Sequence, residues 1–204
     1  LAARLGTRGL EVSVAAPEAS PNLDRWRRFG WQVCAMPAMA RLSHVAHGAR
    51  VVAEMAERMR AANVDLVHTH GVSAQIHAGL AARRVGRPVV YHVHDLFNSH
   101  WSADGCLHRA ALCVPAVRTI AISASVAASI GARVPASRLI TVPDGVARDI
   151  VPPAPEAAGA GPLIVWCGRL QQWKGPTAFI EAARVIRRAR PDARFALVGG
   201  TLFG

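Results

Sequence analysis

The stretch Leu163-Ile164-Val165-Trp166-Cys167-Gly168-Arg169-Leu170-Gln171-Gln172-Trp173-Lys174-Gly175-Pro176 decides the fold. Leu163–Cys167 is a short, continuously apolar run, the pattern of a parallel strand covered on both faces. Pro176 suits a first helical turn, where its missing N–H costs nothing. The spacing then predicts a helix over Pro176–Arg190 and a second apolar strand over Arg194–Val198. Strand, loop, helix and strand make a βαβ unit, and ligands of such folds lie beyond the carboxyl ends of the strands.

The same alternation runs upstream. Strands are expected at Leu10–Ala15, Trp31–Met36, Val64–His68, Val89–Val93, Val117–Ile122 and Leu139–Val142. Between them the pattern predicts helices over Asn22–Phe29, Val45–Ala62, Ala74–Val85 and Leu107–Val114, with Ser123 capping another that runs to Gly131. Residues 147–162 differ: Pro152, Pro153, Pro155, Gly159, Gly161 and Pro162 crowd an Ala-rich stretch that reads as a linker. The expected fold class is therefore α/β. A Rossmann-like, doubly wound parallel-sheet domain spans residues 1–146, and residues 163–204 begin a second. Leu1–Arg8 reads as the last turns of a helix stopped by Gly9, and Gly204 follows a strand and a double glycine. Both ends are expected to be cut, with the first domain's opening strand lying before Leu1.

Composition narrows the function classes. The 204 residues are 51% hydrophobic and only 18% charged, which excludes a disordered chain. Net charge is nonetheless +11, almost all from Arg, and Lys174 is the one lysine. Such a balance suits anionic partners, or else reflects an Arg- and Ala-rich background. No nucleic-acid module is recognisable, so nucleic acid is not expected as a partner. Cys34, Cys106, Cys113 and Cys167 form no C-x-x-C pair and read as reduced, mostly structural thiols in a cytoplasmic protein. No uncharged apolar run is long enough to span a bilayer. Arg25-Trp26-Arg27-Arg28-Phe29 reads as a solvated amphipathic helix, with peripheral contact to an anionic membrane as the other reading.

Two constellations carry chemistry. In Gly168–Gly175, a strand end, a helix N-terminus and two cations meet, a ready phosphate site. Arg169 can grip oxygens in a fork, while Lys174 supplies a compact charge. Together they neutralise a diphosphate without a metal. Lys174 is followed by Gly175, so this is not a Walker A loop, and no G-x-G-x-x-G opens either sheet, which disfavours hydride transfer. The second constellation is His68, His70, His92 and His94, each pair spaced by two and so on one face of its strand. Three roles stand open. A metal site has only Asp95 as a nearby carboxylate and no H-E-x-x-H, and none is expected. Packing in the core suits His68 and His92. For His94 the reading taken is contact with a sugar hydroxyl and developing charge.

At these residues the sequence resembles family 4 glycosyltransferases over nearly its whole length. Val64–Gly71 (VDLVHTHG) resembles the family's D-[VL]-[VI]-H-x-H-x segment, and Pro88–Leu96 (PVVYHVHDL) its P-x-[VI]-x-[TY]-x-H-D stretch. Ile120–Ser125 resembles its I-A-x-S turn. Thr141–Val146 (TVPDGV) resembles V-x-P-N-G-V, with Asp144 where Asn is usual. Gly168–Gly175 resembles G-R-L-x-x-x-K-G, and Phe195–Gly200 (FALVGG) the strand after it.

The resemblance implies a GT-B fold, two facing Rossmann-like domains with the reaction in the cleft. It also implies retaining, metal-independent transfer of a sugar from a nucleotide-sugar donor to a glycan or lipid-linked acceptor, as in cell-envelope or polysaccharide synthesis. Gly168, Arg169 and Lys174 would hold the donor diphosphate and His94 would lie beside the transferred sugar. His70, Gly71 and Asp95 would line the acceptor side. No cofactor is expected beyond the donor, and the location implied is the cytoplasm or the inner face of the membrane. The Gly-rich turn before Leu1 and the paired glutamates after Gly204 would be missing, so the chain alone is expected to be inactive. Two other functions remain: a GT-B-like epimerase or phosphorylase, and a non-catalytic nucleotide- or sugar-binding protein.

Overall fold

Every predicted apolar run becomes a strand, and every described pairing is parallel. The structure is a computed structural model, and it describes residues 7–36, 45–97, 103–145 and 161–200. The proposed linker, but for Gly161 and Pro162, and the expected helix before Thr7 lie outside the described residues. Contacts divide the chain into two units, residues 1–145 and 146–204.

The first unit runs β1 (Ser13–Pro17), α1 (Leu23–Arg28), β2 (Gln32–Met36), α2 (Val45–Ala61), β3 (Val67–His70), α3 (Val72–Arg84), β4 (Val89–Val93), α4 (Ala103–Cys113), β5 (Arg118–Ala121), α5 (Ala124–Ile130) and β6 (Leu139–Thr141). Ser123 caps α5 as expected, its hydroxyl accepting the Val126 N–H at 3.1 Å. β3 begins later than its composition predicts, at Val67 rather than Val64. Its start is set by the partner strand, since Val67 pairs with Val89 at the start of β4.

Instead of one continuous sheet, the first unit has two hydrogen-bonded groups, β1-β2 and β3-β4-β5-β6. A core of Met36, Val51, Met55, Ala56 and Ala81 joins β2 through α2 to α3. The larger core gathers Ile76, Tyr91, Val93, Phe97, Ala111, Ala121, Val126, Ile130 and Val134 against one face of the four-stranded sheet. On that face the row Thr69–Tyr91–Thr119 is buried, and beneath it lies a polar relay. The Thr69 hydroxyl donates to Gln75 Oε1 at 2.6 Å, and Gln75 Nε2 donates to the Val114 carbonyl at 3.1 Å. The residue between, α3's Gly79, lets α3 approach Val114: a Cβ there would meet Val114 Cγ1 at 2.7 Å.

The opposite face departs from expectation. Its register row is His70–His92–Ile120–Ile140, and it is not covered by the described residues. His68 and His70 are exposed, and Ile140 keeps 42% of its surface open. Unbroken apolar strands predict two covered faces; here histidines alternate with the residues that face the core, and among the described residues only the core side is sealed.

The second unit holds β7 (Leu163–Cys167), α6 (Pro176–Ala189) and β8 (Arg194–Val198). β7 and β8 pair in register from Leu163↔Arg194 to Cys167↔Val198. Phe179 of α6 meets Phe195 edge to face, with centroids 6.2 Å apart. No helix among the described residues is long and apolar enough to cross a membrane.

Candidate functional site

The loop after β7 is tied at both ends. The Gly168 N–H donates to the Val198 carbonyl at 3.0 Å, and the Leu170 N–H to the Gly200 carbonyl at 3.1 Å. A Cβ on Gly199 would run into the Gly168 carbonyl, so glycine permits this closeness. Gln172–Lys174 forms a 3-10 turn, and Gly175, at φ 73°, turns the chain into α6 with Pro176 in the first turn. Trp166 Nε1 donates to the Lys174 carbonyl at 3.2 Å and fixes that turn.

Trp173 then gathers the cations. The residue is 66% exposed, with Lys174 Nζ 4.1 Å and the Arg169 guanidinium carbon 5.3 Å from its ring centroid. Each such contact contributes about 0.5–1 kcal/mol at an exposed site, enough to bias two long side chains toward one place. Neither cation has a carboxylate partner among the described residues. The loop therefore presents two charges and the free N–H groups of a helix start, the chemistry a diphosphate needs. Gly168, Arg169 and Lys174 are the residues the sequence singles out in this loop; Trp173 is not among them, although an aromatic residue lying in the chain between two cations is a signal for such a contact.

In the first unit, sheet register converges the imidazoles at the carboxyl ends of β3 and β4. Ring centroids are 4.5 Å apart for His68–His70, 4.9 Å for His70–His92 and 4.4 Å for His92–His94. His70 Nδ1 lies 2.8 Å from His94 Nε2. Across the ring, His94 Nδ1 lies 3.7 Å from Asp144 Oδ2, just after β6. The expected core role for His68 and His92 gives way to a half-open cluster: His68 is exposed and His92 half-buried. His92 holds both ring nitrogens away from solvent with no hydrogen-bond partner among the described residues. The carboxylate at the cluster is Asp144, not the Asp95 that sequence proximity offered; β6 lies two strands from β4, a neighbourhood spacing cannot show. Asp95 is exposed beyond β4. Gly71, at φ 80°, takes a left-handed turn into α3 and donates its N–H to the His92 carbonyl at 3.2 Å.

Crowding sets the charge state. Loss of water pushes the His70 pKa down to about 4, repulsion from His68, His92 and His94 adds to the fall, and Asp144 pulls weakly the other way. Burial lowers His68 and His92 too, reinforced by His94. These three rings are neutral near pH 7. Unfolding restores the ordinary histidine pKa of about 6.5, so between there and about 4 the unfolded chain binds more protons than the native one. Stability is thus expected to fall as pH drops through that window. In a ¹H–¹⁵N imidazole titration of chelator-treated protein, His70 should still be neutral at pH 5; a midpoint near 6.5 would show that the rings are not clustered.

The family model "Glycosyltransferase Family 4" matches residues 1–150. The chain belongs to glycosyltransferase family 4. Among solved structures it is similar to Anabaena Alr3699/HepE in complex with UDP and glucose, at TM-score 0.69 and 20% identity, covering 89% of this chain and 51% of that one. It is also similar to a putative UDP-N-acetylglucosamine 2-epimerase from Listeria monocytogenes, at TM-score 0.62 and 18% identity over 91% and 53%. Acinetobacter baumannii MurG follows at TM-score 0.58 and 17% identity over 97% and 60%. No curated protein matches. The family 4 chain spans roughly half the length of these structures, and identities this low carry the fold alone. That fold is the expected one, α/β with parallel sheets, matching the N-terminal half of GT-B glycosyltransferases.

Proposed function

We propose that the whole protein is a retaining glycosyltransferase that moves a hexosyl group from a nucleoside-diphosphate sugar to a glycan or lipid-linked acceptor. Residues 1–146 form its acceptor-side domain, and residues 163–204 begin its donor-binding domain. The observation that carries the reading is the pair Arg169 and Lys174, gathered on Trp173 at the start of α6, in a chain whose family transfers sugars. When the glycosidic bond breaks, charge grows on the departing diphosphate. Fixed cations and helix N–H groups stabilise that charge without reorganising, so the transfer itself needs no divalent metal. His94 touches the transferred sugar, where an oxocarbenium-like centre develops. His70, Gly71 and Asp95 line the acceptor side.

Arg169→Ala is expected to weaken nucleoside-diphosphate binding by about 1.5–3 kcal/mol, the worth of a hydrogen bond to a charged group. Calorimetric titration of UDP, GDP and ADP measures it, and unchanged affinity for all three would remove the site assignment. The structural likeness to an epimerase sets the second test. Incubation with donor alone yields an isomerised nucleotide sugar from an epimerase and none from this protein.

A further inference from the structure

We propose that His68, His70 and His92 form a three-imidazole site for a borderline divalent transition metal, zinc above all. β3 supplies a His-x-His pair on one face, and parallel pairing sets His92 of β4 beside His70. One ring nitrogen from each of the three lies within 4.8 Å of the others. Tetrahedral zinc holds imidazole nitrogens at about 2.0–2.1 Å, hence roughly 3.4 Å from one another. Side-chain rotation is what closing the site requires.

His92 supplies an independent observation. Both its nitrogens are shut from water and lack a hydrogen-bond partner among the described residues. Buried polar atoms in native proteins are almost always satisfied, and a metal bond satisfies one of these two. The neighbouring groups also orient His70. Asp144 Oδ2, 3.7 Å from His94 Nδ1, draws the His94 proton to that nitrogen and leaves Nε2 as an acceptor. His70 Nδ1, 2.8 Å from that Nε2, therefore donates, and the His70 lone pair resides on Nε2. A ring N–H donated to a fixed acceptor is how zinc-bound histidines are held in their ligating tautomer. The alternative set of His92, His94 and Asp144 meets the same spacing, but there His94 has no lone pair to give: Nδ1, beside Asp144, carries the proton and Nε2 accepts from His70.

Three nitrogen donors favour zinc, cobalt and nickel over magnesium and calcium, which want oxygen. The ion would pin β3 to β4 on the sheet face that the described helices leave uncovered. His70 is shared with the proposed acceptor side and touches His94, but zinc binding is read without donor or acceptor.

The test is calorimetric titration of EDTA-treated protein with zinc chloride, paired with visible absorption of the cobalt form. One ion per chain is expected, with the intense bands of four-coordinate cobalt and no heat from magnesium. His70→Ala and His92→Ala should each weaken zinc binding at least about tenfold, while His108→Ala, on α4, leaves it unchanged. X-ray absorption of zinc-loaded wild type should count three imidazoles, and it decides the matter even if the variants fail to fold. Zinc binding equal to that of the His68/His70/His92 triple alanine variant, or fewer than three imidazoles at the metal, overturns the proposal. Either failure leaves the Arg169 experiment untouched.

Discussion

Replacing His94 with alanine is expected to slow sugar transfer by about 10²–10³-fold, the usual loss when one group aimed at developing charge is removed. Affinity for the nucleoside diphosphate should change by less than about twofold. The two readouts separate because the proposed roles separate: Arg169 and Lys174 hold a diphosphate that is already charged before the bond breaks and becomes more so, whereas His94 meets charge that exists only in the transition state. Single-turnover transfer and calorimetric titration measure the two sides. The surroundings of His94 add a graded comparison. His70 and Asp144 approach opposite nitrogens of its ring, at 2.8 and 3.7 Å. Asp144→Asn keeps the shape but removes the charge that holds the proton on Nδ1, so transfer should fall by less than in His94→Ala. Equal losses of rate and diphosphate affinity in His94→Ala would show a role in shaping the protein and end its assignment to the sugar.

Local pattern carried most of the fold. β4, β7 and β8 begin and end where their apolar runs do, and Ser123 caps α5 because serine before an apolar period has that chemistry. Elsewhere boundaries answer to partners. β1 ends at Pro17 instead of before it, because a terminal proline needs no ladder donor of its own and Glu18 N–H takes up the Met36 carbonyl at 2.8 Å. The grouping of the first unit's strands into two hydrogen-bonded sets was not legible, since an apolar run specifies a strand without specifying its neighbour. For the site, spacing of two predicted that the histidine pairs share faces, and it was register that set His70 beside His92. What spacing could not predict was Asp144, some 50 residues from His94 along the chain and brought to it by sheet order, or Trp173 as the surface on which two cations meet.

The largest effect on stability is expected at Gln75, a polar residue fully buried beneath the four-stranded sheet. Its amide oxygen accepts from Thr69 and its amide nitrogen donates to the Val114 carbonyl, so one side chain ties β3, α3 and the end of α4 together. Gln75→Ala removes both bonds and opens a cavity. A buried carbonyl left without its donor costs about 1–3 kcal/mol, and truncating a buried side chain of this size costs about 2–5 kcal/mol. These terms share atoms and do not simply add, so a total of about 3–5 kcal/mol is expected. Gln75→Leu preserves the volume and isolates the polar part, at about 1–3 kcal/mol. Thr69 softens both losses, because its hydroxyl already lies 3.2 Å from the Val90 carbonyl and can turn to it; Val114 has no such alternative from Gln75's side. Urea unfolding should show both midpoints lowered, alanine further than leucine, with an unchanged slope. If leucine matched wild type, the relay would be shape alone, and the reason for keeping a buried amide would have to lie in strand register rather than in stability.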